Sequence, residues 1–250
     1  MFIWAKREMR NIKLTLEYDG SDFHGWQIQN EVRTVQGTIE DGIERVFAAR
    51  PTVYASGRTD AGVHALGQVA NFKFESRLSL SEIKCALNAN LPEDVRIVSA
   101  LETDDDFHAR YSARQRVYRY VISKRKRAIA RRYAWFCRYA LDLQEIRKAS
   151  RYLLGDNRYR GFSREVAGEE HYRSIVYSLD WQENGEEIVM RICAKRFLHN
   201  MVRIIVGTMV DVGRGKIPAD FVLEILKSGR REMAGVTIPP HGLYLTEVIY

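Results

Sequence analysis

The stretch Ser56-Gly57-Arg58-Thr59-Asp60-Ala61-Gly62-Val63-His64-Ala65 sets a cation and a carboxylate two residues apart between two glycines. Glycine lets the backbone take unusual dihedrals and lets another chain or a ligand approach closely. An ionised carboxylate in such a loop can act as a nucleophile or a general base. The bland alternative is a tight turn with a local Arg58–Asp60 pair, worth under ~1 kcal/mol when exposed. A second feature weighs against it. From Phe197 to Val210 the sequence FLHNMVRIIVGTMV holds one charged side chain, Arg203. A guanidinium buried among apolar residues needs a carboxylate, because an uncompensated buried charge is very costly. Asp60 is a candidate partner, and Asp19, Asp22 and Asp211 are others.

A third piece is the strand-like run from Arg114 to Ile122 (RQRVYRYVI). Period two sets Arg114, Arg116, Tyr118 and Tyr120 on one face, with Val117, Arg119 and Val121 on the other. Cations interleaved with aromatics suit phosphate contacts combined with base stacking, worth ~1–3 kcal/mol per base. Just beyond lies KRKRAIARR, Lys124 to Arg132, with six cations in nine residues. It is either a solvated loop between strands or a phosphate contact, in which case each neutralised charge adds about one unit to the log–log salt slope. The six histidines are scattered, without HxH or HExxH, and read as structural or surface residues rather than metal ligands.

The elements that must position these residues follow from hydrophobic periodicity. Asn11–Tyr18 alternates as a half-buried strand and stops at Asp19-Gly20-Ser21. Thr34–Ala48 has helical spacing with Thr34 as N-cap. Residues 56–67 read as a loop and Gln68–Phe74 as the strand that follows. Ser81–Leu91 is a helix capped by Ser81, and Asp104–Asp106 is a polar junction. In the second half, Gln144–Leu154 is an amphipathic helix, and Arg173–Trp181 with Glu187–Ala194 forms a hairpin around Glu183-Asn184-Gly185, where Asn-Gly is a strong turn signal. Phe197–Val212 and Pro218–Lys227 are helices, and Gly242–Tyr250 is a closing strand. This order predicts an α+β architecture with an N-terminal lobe over residues 1–110 and a C-terminal lobe over 111–250. A doubly wound nucleotide-binding fold is disfavoured, since neither GxGxxG nor a Walker A sequence occurs.

Charge is unevenly shared. The 250 residues carry 39 Lys and Arg against 32 Asp and Glu, a formal charge of +7. Residues 1–110 hold 13 basic and 17 acidic side chains, net −4, so the remainder is net +11. That asymmetry predicts a polyanionic partner met chiefly by the second half. No apolar run approaches the ~18–20 residues of a membrane span, and MFIWAKREMR lacks a signal-peptide core, so a cytoplasmic protein without membrane attachment is expected. Met9 could be the true start, with residues 1–8 a frayed extension. Three widely spaced cysteines, Cys85, Cys137 and Cys193, suit reduced, buried thiols better than a disulfide or zinc framework.

Six segments in order carry a family likeness: YDGSDFHGWQIQ (18–29), TVQGTIE (34–40), ASGRTDAGVHALGQVANF (55–72), FHARYSARQRVYRY (107–120), RFLHNMVRIIVG (196–207) and AGVTIPPHGLYL (234–245). The chain resembles the TruA family of tRNA pseudouridine synthases along nearly its whole length. The resemblance implies two α/β lobes sharing a broad, largely antiparallel β-sheet with helices packed on it, and an active-site cleft between the lobes. It also implies a homodimer acting on tRNA without metal, nucleotide or organic cofactor. By the same resemblance Asp60 is the catalytic aspartate, Arg58 holds RNA backbone, Tyr118 stacks on the target uracil, Arg203 pairs with Asp60, and Leu245 lines the uracil pocket. Arg114, Arg116, Lys124, Arg125, Lys126 and Arg127 are the further candidates for RNA backbone contacts. The implied reaction isomerises uridine to pseudouridine in the anticodon stem-loop, at uridines 38 to 40. Asn157-Arg158-Tyr159, Ile204 and Ile238 depart from the family pattern, and the first of these bears on which uridines are targets. The rival readings are a non-catalytic tRNA-binding module, a synthase acting elsewhere in tRNA, and a phosphoryl-transfer enzyme or nuclease with Asp19, Asp22 and Asp60 as metal ligands.

Overall fold

The computed structural model describes residues 9–164 and 169–250. The expectation for residues 1–8 lies outside the described residues. The chain forms two compact units, one comprising the residues up to Ala113 together with Glu247–Tyr250, the other Arg114–Thr246. Both mix helices with mostly antiparallel strands, as an α+β architecture requires.

In the first unit the order is β1 (Met9–Tyr18), α1 (Val35–Phe47), β2 (Tyr54–Ala55), β3 (His64–Glu75), α2 (Leu80–Asn90) and β4 (Val95–Thr103). β1 pairs antiparallel with β3 and with β4, placing Leu14 opposite Ala70 on one side and Ala100 on the other. The alternation of β1 buries Ile12, Leu14, Leu16 and Tyr18. Helix α1 buries Val35, Ile39 and Ile43, and its N-cap is Thr34, whose hydroxyl accepts from Gly37 N. Helix α2 buries Ile83 and Leu87 and packs on β4 and α1.

Three differences from the sequence expectation have physical reasons. The cap of α2 is Ser79 rather than Ser81: with Glu82 three positions on, Ser79 completes a reciprocal capping box. Ser81 instead shares a hydroxyl contact with Ser79. Strand β3 begins at His64, not Gln68, because the Gly- and Ala-rich segment pairs its backbone with β1, Tyr18 opposite Ala65. Strand β4 is an addition, held by β1 and by Asn88, whose side chain bonds both N and O of Ile97.

The second unit runs β5 (Gln115–Ser123), β6 (Trp135–Phe136), α3 (Leu143–Arg151), β7 (Gly155–Arg158), β8 (Arg173–Asn184), β9 (Glu187–Ala194), α4 (Met201–Gly213) and α5 (Phe221–Ser228). The final strand, β10 (Leu243–Ile249), begins in this unit and ends in the first. Strands β5, β9, β8 and β7 pair antiparallel in that order, and β6 adds to β5 in parallel. The β8–β9 hairpin turns at Gly185-Glu186, one position past the Asn-Gly signal: Asn184 ends β8 opposite Glu187, and Gly185 sits at φ +57° as the first residue of a two-residue loop. Helix α4 is buried almost all round and packs on α3.

Candidate active site

The Asp60 loop joins β2 to β3 and is held by buried polar groups from three directions. The Tyr18 hydroxyl lies 2.7 Å from Thr59 Oγ1. Gln68, fully buried, accepts from Ser56 Oγ at 2.7 Å and donates to Gly57 O at 2.9 Å. The segment Phe23–Trp26 grips the far side: Trp26 N donates to Thr59 O (3.0 Å) and Gly62 N donates to Phe23 O (3.2 Å). Contact there is so close that a Cβ on Gly25, which sits at φ +90°, would fall 2.8 Å from Thr59 O. The outcome is a rigid loop whose Thr59 is buried, whose Asp60 is half-buried and whose Arg58 is exposed.

Burial pushes the Tyr18 hydroxyl up to about 12, against the smaller opposing effect of its bonds with Thr59 and Gln68. It therefore stays protonated and can bond at neutral pH. His64 is buried and its Nδ1 accepts from Gly20 N at 3.1 Å. That is a structural role, as the scattered histidines lead one to expect. Asp19, one of the alternative partners for Arg203, lies 3.1 Å from the same Nδ1 and caps the turn at Ser21. Asp211, another alternative, is taken up by Arg214 and Lys216 at 2.7 and 2.9 Å.

In the second unit Arg203 rides on α4, half-buried. Its Nε donates to Ile238 O at 2.8 Å and its Nη1 to Asn200 Oδ1 at 2.7 Å. Asn200 holds its position at φ +62°, just before the helix. The segment 234–239 is locked onto α4 at its small residues: Gly235 N donates to Thr208 Oγ1 at 2.9 Å, and a Cβ on Gly207 would meet Val236 O at 2.0 Å. Tyr120 completes the brace by donating to Pro239 O at 2.8 Å. Burial raises its hydroxyl well above the usual tyrosine range, opposed by the nearby Arg203 charge. Tyr118 is buried with its ring edge-on to Phe197, centroids 5.0 Å apart, and Leu245 is fully buried on β10.

The basic candidates divide. Arg114 is exposed. Arg116 is buried and donates to Lys195 O at 2.9 Å, so both faces of β5 are covered rather than one. Lys124 pairs with Glu183, Arg125 with Glu186, and Arg127 with Glu187. All three carboxylates come from the β8–β9 hairpin, which compensates much of the cluster's charge. Lys126 Nζ lies 5.9 Å from the centroid of the Phe136 ring. Among the described residues no group of three His, Cys, Asp or Glu is placed to hold a metal ion, and no helix is long and apolar enough to cross a membrane.

Sequence reasoning passed over the groups that fix the loop: Tyr18, Thr59 and Gln68. Their signal was faint, a polar Gln amid β3 and a Tyr ending β1.

A family model described as tRNA pseudouridine synthase matches residues 15–112 and 149–250. The chain belongs to the tRNA pseudouridine synthase family. It is 43% identical over 244 residues to a protein of Thermoanaerobacter sp. (strain X514) named tRNA pseudouridine synthase A, covering 97% of this chain and 100% of that one. A namesake from Caldicellulosiruptor bescii is 44% identical over 245 residues, covering 97% of this chain and all of its own, and one from Bacillus licheniformis is 41% identical, covering 96% and 98%. Pseudouridine synthases are isomerases, which makes this chain an enzyme of that class. The pseudouridine synthase match takes in Arg58, Asp60, Arg203 and Leu245, whereas Tyr118 and the 124–127 cluster fall between its two spans.

Proposed function

We propose that this enzyme isomerises uridine to pseudouridine in the anticodon stem-loop of tRNA, at positions 38 to 40, with Asp60 as the catalytic residue. The observation that carries this reading is the Asp60 loop itself, braced on three sides while the carboxylate stays half-exposed. Breaking the N1–C1′ bond leaves positive character at C1′ and an electron pair on the departing uracil. A fixed carboxylate can attack C1′, or remove the C2′ proton to give a glycal. The base then turns and C5 bonds to C1′, displacing the Asp60 carboxylate on the first route or as C2′ takes back its proton from Asp60 on the second; the C5 proton then leaves and N1 gains one. The products balance without a redox step.

A target base inside a folded RNA must be turned out, costing a few kcal/mol. Stacking on Tyr118 and phosphate contacts from Arg58 and Arg114 are assigned to offset that cost, and Leu245 to line the uracil pocket. Arg203 is assigned to balance the carboxylate charge. Lys126 is a further phosphate contact, while Lys124, Arg125 and Arg127 could serve only by exchanging a glutamate for a phosphate. An apolar surround would keep water from the detached base. The enzyme is proposed to work as a cytoplasmic homodimer.

The test is Asp60→Asn, assayed by mapping pseudouridine in transcribed tRNA. The expected result is retained tRNA binding with product formation abolished; undiminished product would refute the role of Asp60. Modification confined to uridines outside 38–40 would reassign the target and favour a synthase acting elsewhere in tRNA.

A further inference from the structure

A cavity of about 410 Å³ opens on the first unit, lined by Tyr54, Asn71, Lys73, Asp105, Asp106 and His108 among others. None of residues 56–63 of the Asp60 loop lines it. Tyr54 pairs with Asn71 on β3, seven residues beyond His64, where that loop ends.

Two of its lining rings, Tyr54 and His108, begin an aromatic row that Tyr111 extends beyond the cavity. The Tyr54 and His108 rings lie 4.9 Å apart and the His108 and Tyr111 rings 4.5 Å. Tyr54 is 47% and Tyr111 77% exposed, so these faces meet water rather than core. Burial, together with the Arg110 charge, lowers the His108 imidazole below the usual histidine range, and its Nδ1 accepts from Arg110 N at 3.1 Å. A neutral ring presents an aromatic face rather than a cation. The row is held rigidly. Asn71 accepts from Ala109 N at 2.8 Å, and Asn11 donates to Phe107 O and Asp104 O at 2.9 and 2.8 Å. Two buried amides thus pin the turn that carries His108.

The polar lining is equally specific. Among the described residues Lys73, Asp105 and Asp106 enter no ion pair, although they line one cavity. Exposed aromatic faces stack on any nucleobase. Carboxylates accept from exocyclic amino groups such as cytosine N4 and meet the uracil O4 acceptor unfavourably. A lysine supplies a point charge for phosphate. We propose that this cavity binds an unpaired nucleotide of the RNA substrate whose base carries an exocyclic amino group, stacked on Tyr54 with its amino edge toward Asp105 and Asp106 and its phosphate toward Lys73. The RNA occupant rests on the function proposed above; the nucleotide preference does not.

Two measurements on the full chain separate these parts. The first is titration of the protein with CMP or UMP, followed by the His108 ring resonances. The expected result is saturable shifts with CMP, much weaker ones with UMP, and loss of the CMP response in the double variant Asp105→Asn, Asp106→Asn. Equal responses to both nucleotides, or none to either, would overturn the site. The second is steady-state kinetics on tRNA. Tyr54→Ala is expected to raise KM by roughly 5- to 150-fold with kcat unchanged, as loss of one stacked base implies, and Tyr54→Phe to keep the wild-type KM. A CMP response combined with an unchanged KM in Tyr54→Ala would mean a free nucleotide is bound and would overturn the RNA occupant. A wild-type protein that prefers CMP yet makes no pseudouridine would refute the proposed function while supporting the site.

Discussion

Tyr18 and Thr59 meet through their hydroxyls at 2.7 Å in a site closed to water, tying the last residue of β1 to the residue before Asp60. Gln68 Nε2 reaches the same tyrosine oxygen at 3.4 Å, so one phenol links strand, loop and strand. Removing it leaves buried partners short of a bond, which costs ~1–3 kcal/mol. Tyr18→Phe is expected to lower unfolding stability by that amount and to reduce turnover more than tRNA affinity. Denaturant unfolding alongside single-turnover kinetics checks both.

The same phenol gives an alkaline signature. Its folded value near 12 stands above the ordinary 10 of tyrosine, because burial disfavours the phenolate. The folded state therefore holds the proton more tightly than the unfolded chain. This contribution is whole below pH 10 and is lost as pH rises from there through about 12. Ultraviolet difference titration of wild type against Tyr18→Phe should show one tyrosine ionising only near the upper end of that range.

Gly25→Ala tests the grip of the 23–26 segment. A methyl would lie 2.8 Å from Thr59 O on a residue held at φ +90°, and overpacking costs typically ~1–3 kcal/mol with the dihedral strain adding to it. The expected outcome is a less stable protein with kcat reduced more than KM, since the shift falls on the Asp60 backbone. Unaltered kinetics would show that the loop holds its place without this contact.

The ion pairs of the basic cluster set its salt behaviour. Lys124, Arg125 and Arg127 already face Glu183, Glu186 and Glu187. Changing the three cations to Gln should therefore move the log–log salt slope of tRNA binding by less than one unit. A fall of about three units would mean that the glutamates yield to phosphates on binding.

At α2, Ser79→Ala should cost ~1 kcal/mol by removing the cap. Bonds from the Ser79 side chain and backbone hold the Glu82 carboxyl below the usual glutamate range. The stability it adds is present above the ordinary glutamate value and lost as pH falls through the lower folded value. The gap between wild type and Ser79→Ala should accordingly narrow in acid, as thermal unfolding across a pH series would reveal.

Local signals were legible where they are self-contained. Period-two alternation found β1, Asn184-Gly185 found the β8–β9 turn to within one residue, and the lone charge of the run 197–210 marked Arg203 as part of something polar. The start of β3 was not legible, because its Gly and Ala carry no alternation and only pairing with β1 makes them a strand. Nor was the fate of the 124–127 cluster, whose partners lie about sixty positions away in sequence. At the site, the Gly-bounded Arg58 and Asp60 stood out by residue type. Gln68 and Tyr18, which fix them, look like ordinary strand residues until the loop folds over them.

The first unit takes in Glu247–Tyr250, whose terminal ring lies 4.9 Å from that of Phe107 and whose hydroxyl donates to Ala109 O at 2.9 Å. During translation, then, the half that emerges first cannot assume its finished form on its own. Its last staple is made only after some 130 further residues have left the ribosome, so maturation of the Asp60-bearing half is timed by the arrival of its most distant piece.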